Sequence, residues 1–200
     1  FFAGVLLGLA ASGCATAPTN PYFASVRSSA NVYVAPLRVD VVKVAVLPFK
    51  GPTELIGASV SDMVVTEMLK LGRYTLVERS QMAGVLSETE LAMAGLSERR
   101  AMEVGRMLGA DGVVIGTVDE YSMQARGGRT YAVVGLTIRL IQSQTGQILW
   151  SADLAKMAED PNVPLAAHGR AVVHELIAGL FHKLGAQRAP AASSAHLSAP

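Results

Sequence analysis

The chain has 200 residues, half of them apolar, with 17 basic and 16 acidic side chains and a formal net charge of +1. This is enough for one domain with a real core, and the basic excess is too small for the positive stripe that nucleic acid requires, so no nucleic-acid partner is expected. The single cysteine, Cys14, excludes an internal disulfide framework, and the fold must stand on its core.

The chain opens FFAGVLLGLAASGCATAP, an apolar run of about eleven residues ending in small ones, whereas a bilayer crossing needs about 20. Residues 1–13 read as the remnant of a signal peptide, opening on Phe1 with no basic segment ahead of it. Ala11-Ser12-Gly13-Cys14 resembles the bacterial lipobox, in which small residues admit a signal peptidase ahead of a cysteine that carries lipid. Cys14 is the expected lipidation site; the bland alternative is a free thiol at the end of an apolar helix. Each buried CH₂ contributes about 0.8 kcal/mol, so several acyl chains on one cysteine make a permanent anchor. Ala15 follows the cysteine in place of Asp, which by resemblance to sorted lipoproteins points to the outer membrane. Residues 14–40, with Pro18, Pro21, Pro36 and several Ser and Asn, read as lipidated cysteine plus tether. Within them Asn31-Val-Tyr-Val-Ala is open to an added edge strand.

Residues 41–185 read as the folded domain. Val41 to Phe49 is a Val-rich run with one Lys, as expected of a strand covered on both faces. Ile56, Val60, Met63, Val64, Met68 and Leu71 then recur at steps of three and four, and Gly72 follows where a helix ends in a left-handed residue. Arg73 to Arg79 reads as a second strand. Ser87 and Glu90 fit a capping box, Ala92 to Leu96 a turn, and Ser97 the cap of a helix with Ala101, Val104 and Leu108 facing inward. Gly112 to Met123 reads as a strand, Gly127-Gly128 as a turn and Thr130 to Gln142 as the antiparallel return, with Ala132, Val134, Leu136, Ile138 and Leu140 on one face. Ser143 to Gly146 turns the chain into Gln147 to Leu154, where Ile148, Trp150, Ala152 and Leu154 are expected on a shared face. Past Pro161 and Pro164, Val173, Leu176, Ile177, Leu180 and Leu184 mark an amphipathic helix. Residues 186–200 are Ala, Ser and Pro with little to bury and read as a disordered tail. The fold class is α/β: one three-layer-like domain, strand-helix-strand-helix-strand, then an antiparallel meander and a C-terminal helix on a mixed sheet.

Three stretches in this order, VVKVAVLPF, LGRYTLVERSQMAGVLSETELAMAGL and LGADGVVIGTVDEY, resemble the family of the curli-secretion lipoprotein CsgG, over roughly Lys43 to Ser151. The resemblance implies a non-enzymatic lipoprotein on the periplasmic face of the outer membrane, held there by its lipid anchor and working in a secretion or assembly complex. Chain length places it nearer the small pore-less members such as PelC, with other protein subunits as partners and a homo-oligomeric ring open to it. The alternative is an LpoB-like activator of a peptidoglycan synthase.

No chemical motif competes with that reading. His174-Glu175 suggests a helical zinc motif, but Ala178 occupies the second ligand position, and His182 is about 12 Å further along the helix, too far for one metal. His168, His174 and His182 read as helix-flank residues. The first strand-to-helix junction, KGPTELIG, lacks a glycine triplet or a phosphate-binding lysine, so no nucleotide cradle is expected there. Ser59, Ser61 and Asp62, near a strand-to-helix junction, read as the solvated face or first turn of that helix, and Asp119 and Glu120, adjacent in a strand, are expected on opposite faces. No catalytic residue, metal ligand or cofactor site is expected. Met63, Met68, Met82, Met93, Met102 and Met107 read by default as core filling.

Overall fold

The computed structural model describes residues 20–36, 39–86 and 96–188. These contain, in chain order, β1 (Asn31–Val34), β2 (Lys43–Val46), α1 (Glu54–Leu71), β3 (Thr75–Leu76), α2 (Arg79–Met82), α3 (Glu98–Met107), β4 (Gly112–Arg126), β5 (Arg129–Gln142), β6 (Ile148–Met157) and α4 (Leu165–Arg188). The strands form one sheet in the order β1-β6-β5-β4-β2-β3. Strand β2 runs parallel to β3 and β4, whereas β4, β5, β6 and β1 alternate in direction, so the sheet is mixed. The expected α/β class and the strand-helix-strand-helix-strand order followed by a meander are what the chain adopts.

Helix α1 starts because Thr53 turns its hydroxyl onto the Ile56 N–H (3.2 Å), and it stops because Gly72 adopts φ 64°. Ser97 caps α3 in the same way through the Arg100 N–H. Helices α1 and α4 cover one face of the sheet. There Val60, Val64, Met68, Val173, Leu176, Ile177 and Leu180 pack on Val44, Val114, Leu136, Ile138, Leu140 and Trp150. A second, smaller cluster lies on the opposite face, where Met82, Leu86, Ala101, Val104 and Leu108 pack on Ala45, Leu47, Val113 and Ile141. Alternating strand side chains thus feed two cores, giving three layers, with the outer one present over part of the sheet.

Several boundaries differ from the sequence expectation for identifiable reasons. The first strand pairs over four residues only, because Pro48 has no N–H to give the ladder. Leu47 still donates to the Val114 carbonyl, and pairing returns as a single bridge between Lys50 and Thr117. Phe49 remains fully buried against Gly116, where a Cβ would lie 2.9 Å from its ring. The second strand shrinks to Thr75–Leu76, since Arg79 already begins α2. In β6 the register slips between Leu140 and Ile141, so Leu149 enters the core and Ile148 faces solvent, contrary to the expected shared face. The capping box at Ser87 and Glu90 and most of the turn at 92–96 lie outside the described residues, as do Cys14 and residues 189–200.

The composition of residues 20–36 suggests a tether, yet this segment joins the domain. Phe23 is 0% exposed within the larger core, and β1 pairs antiparallel with β6 from Asn31↔Asp153 to Val34↔Trp150. Burial of one aromatic ring outweighs the local shortage of apolar side chains.

Candidate functional site

Of the polar side chains singled out in the sequence, His174, Glu175 and His182 gather at a fastening between residues 20–30 and the last helix. Residues 20–30 form a strap across α1 and α4. At its start the Asn20 amide donates to the Lys70 carbonyl in the last turn of α1 (2.7 Å), satisfying one of the acceptors that a helix end leaves open. The Phe23 ring then stacks on His174 (5.4 Å between centroids) and lies against Phe181 (5.6 Å). The carbonyl of Val26 meets His182 Nε2 at 3.1 Å. The Ser28 hydroxyl donates to the Glu175 carbonyl, while the Ser29 N–H and hydroxyl both donate to Glu175 Oε1.

His174 and Glu175 therefore act in opposite directions from neighbouring positions. His174 Nδ1 reaches Glu67 Oε2 of α1 at 2.8 Å, and Glu67 also takes Lys70 Nζ at 2.6 Å. Glu175 reaches the strap and Lys156 of β6, whose ammonium lies 2.7 Å from Oε2. Burial pushes the Glu175 carboxyl up, but the Lys156 ammonium and the two Ser29 donors outweigh it and hold the group below its ordinary pKa. His168 Nε2 sits 3.0 Å from the Lys156 carbonyl. The expectation of flanking histidines understates this: all three are tied to other segments of the chain.

The remaining candidates are separate from one another. Ser59 is exposed and Asp62 pairs with Arg79 at 3.1 Å on the surface, as expected of a solvated face, but Ser61 is buried, its hydroxyl donating to Ala58 O within its own helix. A bulge at Asp119 separates it from the Val118–Leu136 pair, and its carboxylate accepts from the Thr137 hydroxyl. Asp111 accepts from the N–H groups of Lys43 and Val42, which hold its carboxyl below the usual value. Burial raises the Tyr121 phenol against the opposing charge of Arg170. Among the described residues, no group of three His, Cys, Asp or Glu side chains is placed to hold a metal ion, and no helix is long and apolar enough to cross a membrane. The groove between α1 and α2, lined by Val65, Leu69, Met82 and Arg79, offers about 190 Å³, below the ~300–1,000 Å³ of ordinary small-molecule sites. Of the methionines, Met68 and Met82 are buried as expected, but Met107 is 62% exposed.

Residues 28–163, more than half of the chain, match the family described as "Curli production assembly/transport component CsgG". The chain belongs to the CsgG family. That family is associated with secretion and assembly. Among solved structures the fold is similar to the PelC dodecamer from Paraburkholderia phytofirmans, at 19% identity and a TM-score of 0.57, covering 78% of this chain and 98% of that one. It is also similar to lipoprotein GNA1162 from Neisseria meningitidis, at 16% identity and a TM-score of 0.51, covering 72% of this chain and 99% of that one. No curated protein matches the chain. The family match supports the VERSQ and LGADGVVIGTV signatures read from the sequence. In the structure, Glu78-Arg79-Ser80-Gln81 caps and forms α2, and Gly112 onward forms β4.

Proposed function

We infer that this CsgG-family chain is a non-enzymatic lipoprotein, anchored through Cys14 to the periplasmic face of the outer membrane and serving as a subunit of a secretion or assembly complex. The family match over residues 28–163 carries this reading. The likeness to a chain that forms a dodecamer supports a ring of identical subunits as the working state. The side chains of Glu175 and His174 serve structural contacts, Glu175 fastening Ser29 and His174 joining α4 to Glu67 of α1.

Native mass spectrometry and light scattering of the purified chain test the assembly. A stable ring supports the reading. A monomer that captures a peptidoglycan synthase would favour the LpoB-like alternative. Membrane fractionation of Cys14→Ser, with the mass of the mature N-terminus, tests the anchor. A membrane-bound variant or an unmodified Cys14 would refute it.

A further inference from the structure

Among the described residues eight large hydrophobic side chains are exposed, and five of them gather at one end of the sheet: Tyr22, Val42, Leu69, Met107 and Ile148. The strand register places them there. Val42 precedes β2, and Leu69 lies in the last turn of α1, which returns through Gly72 to β3 beside Lys43. Met107 closes α3 just ahead of β4, whose Gly112 pairs with Val44, and Ile148 opens β6 opposite Ile141. Tyr22 follows Asn20, which is bonded to Lys70 at the same helix end. This end also carries Lys70, Arg73, Arg106 and Lys183. Its acidic side chains are Glu67, which is paired with Lys70, together with Asp40 and Asp111, and the Asp111 carboxylate is already engaged by two backbone N–H groups. Single exposed apolar residues are ordinary; five at one end, interleaved with cations, are not.

The strap begins at this same end. Asn20 is six positions after Cys14, and at roughly 3.3–3.6 Å per residue the two can be at most about 20 Å apart. We propose that this end of the domain docks on the lipid surface entered by the Cys14 acyl chains, its apolar side chains reaching into the headgroup layer and its cations facing lipid phosphates. The inference rests on the anchoring reading of Cys14. A bilayer surface answers both features, since interfacial binding grows with buried apolar area and with attraction to anionic lipid. The short stretch between Asn20 and Cys14, which holds this end within about 20 Å of the acyl chains, favours the bilayer over a protein partner. The β4–β5 ribbon then points away from the membrane, with Arg126 and Arg129 at the far end of a 15-residue strand about 50 Å long.

Full-length protein carrying Leu69→Trp, Met107→Trp or, as control, Gln124→Trp on the distal ribbon is reconstituted into vesicles of phosphatidylethanolamine and phosphatidylglycerol containing brominated lipid. The mass of Cys14 is recorded separately, so the anchor and the docking end are judged independently. Quenching several-fold stronger at positions 69 and 107 than at 124 is the expected result. Equal quenching at the three positions, or none at 69 and 107 in a chain shown to be acylated, overturns the proposal. So does an oligomer that disperses with Leu69→Trp while no quenching occurs, since that end would then be a contact between copies. If Cys14 carries no lipid, the same chain is sedimented with these vesicles. Salt-sensitive binding weakened about fivefold by each of Arg73→Gln and Arg106→Gln upholds the docking end, and no binding refutes it.

Discussion

Phe23→Ala tests whether residues 20–30 belong to the domain. The ring is fully buried between His174 and Phe181. Removing a buried Phe side chain costs about 3–5 kcal/mol when the cavity stays open. In a domain of this size each kcal/mol moves the melting temperature by about 2–4 °C, so a fall of roughly 6–20 °C is expected. The strap can also respond by peeling away, which caps the loss at the free energy of fastening and exposes residues 20–30 to protease. Both outcomes are measurable on the full chain with Cys14→Ser, by near-ultraviolet circular dichroism of the buried Trp150 and by limited proteolysis. Tyr22→Ala, one residue away and 61% exposed, is the control, expected to shift stability by no more than about 0.5 kcal/mol. If Phe23→Ala melts with the parent and shows no new cleavage, the strap is not part of the fold.

Val46→Asp places a carboxylate in the larger core beside Val60 and Val64 and is expected to cost several kcal/mol; an unchanged denaturant midpoint would contradict the β2 assignment. The buried Ser143 hydroxyl has no hydrogen-bond partner among the described residues, so Ser143→Ala is expected to stabilise by up to about 1 kcal/mol, read as a higher urea midpoint. Gly105→Ala should do the reverse, because its Cβ would lie 2.5 Å from that hydroxyl oxygen. Asp111 and Glu175 are held below their ordinary values of 3.8 and 4.5. Their contribution is fully present above those values and is lost as the pH falls through the lower folded-state values. Urea midpoints should therefore drop in acid, and Glu175→Gln should flatten part of that drop. The chain is also expected to give no stable conductance steps in a planar bilayer, since each arm of the ribbon projects only a few residues past the last β5–β6 pair, Val133↔Met157, against the ~9–11 a crossing strand needs.

The long elements were legible because their periodicity is local. Ala132 to Leu140 alternate into the core along β5, and Val173 to Leu184 recur at helical spacing along α4. The strap was not, because Phe23 has no periodic neighbours and its partners lie in the last helix. His174 looked like a flank residue until α1 brought Glu67 to it across 107 positions of sequence. The Ile148–Leu149 exchange depends on a register slip that alternation alone does not reveal. The apolar end was equally hidden: Tyr22, Val42, Leu69, Met107 and Ile148 each look incidental in the sequence, and it takes the parallel pairing of β2 with β3 and β4, the antiparallel β5–β6 pair and the Asn20–Lys70 bond to bring their segments to one end. The reading of Cys14 rests on its small-residue motif alone, since the residue lies outside those the structure describes.

The strap's contacts also order events during biosynthesis. Ser29 and Val26 wait for Glu175 and His182, partners 146 and 156 positions later in the chain. Residues 20–30 are made first and their docking surface last, so they lack their fastening partners until α4 is complete. Completion of α4 then closes residues 20–30 down on the domain. In a chain truncated before residue 174, residues 20–30 would exchange amide hydrogens as an unstructured peptide does.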